Sequence, residues 1–150
     1  MGRAHTTTTT PIGSEFSITK TVTSSAIPNN TQTGGAITAA SSGTLLIKEI
    51  TVNTDGTGFA APTNIEFSVD NANGQTGAAA PIVLEVIASF GVNKTMVATK
   101  DATSHTLPIV LETGKKIFIH GDDAGGTGAG TGDITIVFQR IDNGSSIAAA

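Results

Sequence analysis

The sequence predicts an all-β fold: a single β-sandwich or jelly roll of about eight or nine strands with extended terminal arms. Three observations carry this expectation. Apolar residues recur at every second position through most of the chain, the period of a half-buried strand. Glycine, asparagine and aspartate punctuate these runs at the spacing of short strands. No segment of roughly ten residues shows a helical period. At 150 residues the chain fits one domain with one core.

The elements follow in order. Phe16, Ile18 and Val22 alternate with Ser17, Thr19, Thr21 and Thr23, a strand with one apolar side. Residues 35–39 form a weaker candidate. Residues 45–52 are strong, with Leu46, Ile50 and Val52 on one parity and Leu45 and Ile47 on the other. The turn-rich stretch 53–58 breaks the chain before Ile65, Phe67 and Val69 alternate again. Residues 82–88 are nearly continuous apolar, as expected of a central strand. Met96 and Val97 sit in a short strand, and residues 107–111 and 117–119 flank a turn at 112–115. The last strand carries Ile134, Ile136 and Phe138 on one side, with Thr135, Val137 and Gln139 opposite.

Residues 1–15 form an N-terminal arm, 16–142 the sandwich and 143–150 a C-terminal tail. The arm contains Thr6, Thr7, Thr8, Thr9 and Thr10, then Pro11, a run that cannot bury apolar area. Such polar ends stay disordered unless tied down, and a neighbouring subunit is the expected anchor.

Composition narrows the function classes. Charged residues are 13% of the chain, about half the usual share of roughly 25%, and Thr, Ser, Asn and Gly take their place. A neutral, hydroxyl-rich surface suits an extracellular or virion protein. Cysteine is absent, which removes disulfides, thiolate metal sites and thiol chemistry. With eight Lys and Arg and a net charge of −4 there is no basic footprint for nucleic acid. No apolar stretch is long enough for a membrane helix, and the first residues do not resemble a signal peptide.

Each candidate site has a plainer reading. The glycine-rich stretch 125–132 lacks the Gly-Lys-Ser/Thr ending of a phosphate loop, and a strand follows it, so it reads as a loop. Asp55, Asp70, Asp122, Asp123 and Asp133 are oxygen ligands by type, but none sits in a twelve-residue calcium loop, and turn roles are expected. His5, His105 and His120 have no metal-ligand spacing and read as exposed loop histidines. Glu49, Glu66, Glu85 and Glu112 are glycosidase carboxylates by type alone, in a chain without Tyr or Trp to stack a sugar. Phe16, Phe67, Phe118 and Phe138 read as core, whereas Phe59 and Phe90 lie near loops and are candidates for exposure. No catalytic residue, cofactor site or metal site is assigned. The expectation is a structural or interaction protein.

Two stretches carry a resemblance. Residues 43–58, which include Leu45-Leu46-Ile47-Lys48-Glu49-Ile50-Thr51-Val52, are one. The other is Val110-Leu111-Glu112-Thr113-Gly114-Lys115-Lys116-Ile117, with the glycine-rich loop and the strand ending Val137-Phe138-Gln139-Arg140. Together they resemble small jelly-roll virion surface proteins of tailed phages, the capsid decoration or cement class, over residues 43–142. The resemblance implies a homotrimer on the capsid surface that bridges and stabilises the major capsid protein. It also implies a terminal arm reaching a neighbour, a role that Thr6–Thr10 and Pro11 suit as an extended segment. The alternative expectations are a receptor- or glycan-binding domain of a phage fibre, with Asp55, Phe59, Asp122 and Asp123 lining its pocket, and a self-assembling surface or filament subunit.

Overall fold

The computed structural model describes residues 10–28, 35–59, 65–70, 83–86, 93–98, 107–121 and 130–150. Within them the chain forms β1 (Glu15–Thr23), β2 (Gly35–Ala36), β3 (Leu45–Thr54), β4 (Ile65–Asp70), β5 (Val83–Val86), β6 (Thr95–Val97), β7 (Ile109–Leu111), β8 (Lys116–Gly121) and β9 (Thr131–Arg140). A single 3-10 turn, Ser24–Ala26, follows β1. The first sheet has the order β1-β9-β3-β6, with β7 on the same side of β3 as β6, and the second has the order β2-β8-β4-β5. Every pair is antiparallel. Strands β6 and β7 line up end to end along β3, at residues 51–53 and 45–47, and act as one interrupted strand. Counted so, the described strands wind between the sheets as an eight-stranded jelly roll.

The two parities in 45–52 have a structural cause. The β3–β9 register slips between Ile47 and Glu49, so Lys48 is the extra residue of a bulge. One inserted residue flips the strand, and Leu45, Ile47, Ile50 and Val52 all reach the core. They pack with Ile65, Phe67, Leu111, Ile117, Ile119, Ile134, Ile136 and Phe138. Each such side chain contributes about 1.5–3 kcal/mol on burial. At the first sheet's edge, Phe16 stacks on Phe138 with centroids 5.5 Å apart, and the Arg140 guanidinium lies 4.1 Å over the Phe16 ring.

The turn expected at 112–115 is present, closed by the Lys115 N–H to Glu112 O (3.1 Å), and it carries the chain across the sandwich from β7 in the first sheet to β8 in the second. Two expectations change. Among the described strands β5 is an edge of the second sheet rather than its centre, with β4 as its one described neighbour. Phe118 is buried, at 3% exposure, but it points away from the core between the sheets, opposite Ser68 on the outer side of the second.

The C-terminal segment is anchored by its own chain. Ser146 bridges Ser42 and Ala149 bridges Thr38. Ala39 N–H donates to Ala148 O (2.9 Å), the Arg140 Nε–H to Ser145 O (2.9 Å), and the Lys20 ammonium to Ala150 O. Ile147 packs against the core.

Candidate functional site

The sandwich is asymmetric. On the second sheet the outward residues Ser68, Phe118 and His120 are buried, at 1%, 3% and 0% exposure. The outward side of the first sheet is open. Its register places side chains in rows across the strands. One row runs Thr19, Thr135, Thr51, Val97, and the next Thr21, Asp133, Asn53, Thr95. Ser17, Val137 and Glu49 lie on one side of these rows, and Thr23 and Thr131 on the other. Ser17, Thr19, Thr21, Thr23, Asn53 and Thr95 are exposed, and Val97 and Val110 are each 47% exposed.

The strand period produces this face. The threonines take the odd positions of β1, where Ile18 and Val22 face inward on the even ones, and Thr135 lies between the core residues Ile134 and Ile136. Threonine suits the position because its branched Cβ favours the extended backbone. The hydroxyls are cross-linked. Thr19 and Thr135 share a hydrogen bond of 2.9 Å, Thr21 donates to Asp133 Oδ1 (2.6 Å), and Thr51 donates to Glu49 Oε1 (3.0 Å). Glu15, at the rim, pairs with Lys48 (3.6 Å). Most of the face is neutral. A hydroxyl both donates and accepts, and a short β-branched side chain, restricted at χ1, loses little freedom on docking. Covering hydroxyls also desolvates far less charge than covering Lys or Glu.

Two of the loop candidates, Asp55 and Phe59, have structural roles. Asp55 Oδ1 accepts the N–H groups of Thr57 and Gly58 (both 2.9 Å), and Oδ2 accepts the N–H (3.0 Å) and hydroxyl (2.8 Å) of Thr131. The Thr57 N–H, the Thr131 hydroxyl and the Gly58 N–H hold its carboxyl down at about 2. Four donors leave this carboxylate committed to the loop. Phe59 is 5% exposed and belongs to the core, against the expectation of exposure. A Cβ at Gly132 would collide with its ring, and one at Gly130 with the Gly58 carbonyl, so both glycines are steric requirements. Asp122 and Asp123 lie outside the described residues, as do His5, His105 and Phe90.

His120 is not an exposed loop residue. It lies inside β8, fully buried, with Nε2 3.2 Å from Ser68 Oγ and no partner for Nδ1. Burial holds its pKa down to about 4. The Ser–His contact has the distance of a nucleophile and base, but a triad also needs a group orienting Nδ1 and a path for substrate. Here Nδ1 is unpartnered and both residues are enclosed. Glu49 and Glu66 face opposite outer sides of the sandwich, and Glu112 lies in the crossing turn, so these three do not share a cleft. Among the described residues no group of three or more His, Asp or Glu side chains could hold a metal ion.

Of the proposed arm, Thr6, Thr7, Thr8 and Thr9 lie outside the described residues. Thr10 and Pro11 are placed. Thr10 O accepts the Gly144 N–H (3.4 Å), and Pro11 O accepts the Ser14 N–H (3.3 Å) and hydroxyl (2.7 Å). The arm therefore joins the domain beside the turn after β9. The threonine face escaped sequence reasoning as a site, although Thr19, Thr21 and Thr23 stood at every second position. What assembled it was the pairing of β1, β9, β3 and β6. No family model matches the chain, and no curated protein or solved structure matches it either.

Proposed function

We propose that the chain is a structural docking protein of a virion surface. In this reading it is a capsid decoration protein that lays the open face of its first sheet against the major capsid protein and stabilises the shell. The observation that carries the reading is the asymmetry of the sandwich. One outer face is covered, while the other is bare, largely neutral and lined with cross-linked threonines. Such a face suits a large, flat partner better than a small ligand, because its hydrogen-bonding groups are spread over four strands rather than converging on one point. The arm, of which Thr10 and Pro11 are placed against the domain, adds a second contact in which its threonine run pairs with a partner's sheet edge.

The test uses shells assembled from the major capsid protein of the phage that encodes the chain. Wild-type protein is expected to co-sediment with these shells and raise their melting temperature. Thr51→Lys/Thr95→Lys, which places two ammonium groups on the face, is expected to abolish binding while circular dichroism stays unchanged. Deleting residues 1–9 is expected to weaken it. Undiminished binding by the lysine variant, or a wild type that never binds, overturns the reading.

A further inference from the structure

The open side of β1 carries an inference that does not depend on the partner of the threonine face. Among the described residues strand β1 pairs only with β9, in a register of nine residue pairs without a bulge. The Arg140 N–H donates to Ser14 O (3.0 Å) and the Ser24 N–H to Gly130 O (2.7 Å). Antiparallel geometry then assigns the backbone groups of even-numbered β1 residues to β9, while Glu15, Ser17, Thr19, Thr21 and Thr23 aim theirs at the open edge. All five are exposed.

Solvated sheet edges are normally guarded by proline, a bulge, a short strand or a lysine aimed at an incoming chain. Strand β1 has no proline or bulge and is nine residues long. Its one lysine, Lys20, is held by Ala150 O. Phe16 and Ile18, on the core side, remain half-buried. Below residues 20–23 a groove of about 360 Å³ opens between this edge and β2, floored by Val22, Ile37 and Ile119.

We propose that this edge is an interface with a second copy of the chain, formed by antiparallel pairing of β1 with itself about a two-fold axis at Ile18. The sequence of the strand is self-complementary in that register. Ile18 meets Ile18, Ser17 meets Thr19 and Glu15 meets Thr21 on the outer side, and Phe16 meets Lys20 beside the groove. No like charges stand opposite one another, and odd-numbered backbone groups meet odd-numbered ones, giving about eight new ladder hydrogen bonds. The two first sheets become one continuous sheet, and two threonine faces lie side by side. This is a two-fold contact, in contrast to the trimer that the phage-protein resemblance implies.

Sedimentation velocity of the full chain is expected to give a particle of twice 15.0 kDa. Ser17→Lys/Thr19→Lys sets lysines opposite one another at exposed positions and is expected to return the particle to the mass of one chain, with an unchanged circular dichroism spectrum. Because the chain has no cysteine, Ser17→Cys/Thr19→Cys gives a clean cross-link. Oxidation is expected to yield covalent dimers, whereas Thr113→Cys, in the crossing turn, yields none. A wild type that stays monomeric up to about 1 mM, which bounds the dissociation constant, overturns the proposal. So does a trimer, a dimer that survives the lysine pair, or a double-cysteine variant that fails to cross-link.

Discussion

The carboxylate of Asp55 accepts both the backbone N–H and the hydroxyl of Thr131, at 3.0 and 2.8 Å, and so ties the loop after β3 to the first residue of β9. The other carboxylate oxygen caps the N–H groups of Thr57 and Gly58. One side chain therefore closes the end of the sandwich where Phe59 enters the core above Gly132.

Replacing Asp55 with Ala leaves four donors without their acceptor. The expected outcome is a fall of several degrees in the thermal midpoint. The acid dependence has a definite sign. The folded pKa of about 2 lies below the ordinary 3.8, so the stabilisation is fully present above pH 3.8 and is lost as the pH falls through 2. Urea melts of wild type and Asp55→Ala should converge over that window.

Phe59→Ala is expected to destabilise the domain by about 3 kcal/mol, through lost burial and a cavity beneath Gly132. Chemical denaturation checks the value. A loss well under 1 kcal/mol would mean that the ring is not held in the core.

His120 gives a second pH dependence at milder acidity. Its folded pKa is about 4, against 6.5 for the free side chain, so the folded state resists protonation. Stability is unaffected above pH 6.5 and declines as the pH falls from 6.5 toward 4, by up to about 3 kcal/mol. In His120→Leu that slope is expected to vanish. Proton titration by NMR reads the folded pKa directly.

Removing residues 145–150 deletes Ile147 and the acceptors at Ser145, Ala148 and Ala150. The expected cost is roughly 2–4 kcal/mol, read by denaturation. An unchanged midpoint would mean that these residues are not held on the domain.

The strands were largely legible in the sequence because period-two alternation is a local property. Phe16 with Ile18 and Val22, and Ile65 with Phe67 and Val69, announced β1 and β4. What stayed hidden depends on pairing. The conflicting parities of Leu45 and Ile50 make sense only once the bulge at Lys48 is known. His120 reads like any strand-end histidine until β8 is seen inside the second sheet. The threonine face is likewise distributed over four strands far apart in the chain, so no window of the sequence contains it.

The most direct test of the docking face is site-specific labelling of a single cysteine in the assembled particle. Thr95→Cys sits on the open face away from the β1 edge, and Thr113→Cys sits on the exposed crossing turn. Both should react with maleimide in the free protein. On the shell, Thr95→Cys is expected to become protected while Thr113→Cys stays reactive. Equal labelling of the two in the bound state would contradict the assignment of the first sheet as the surface that meets the partner.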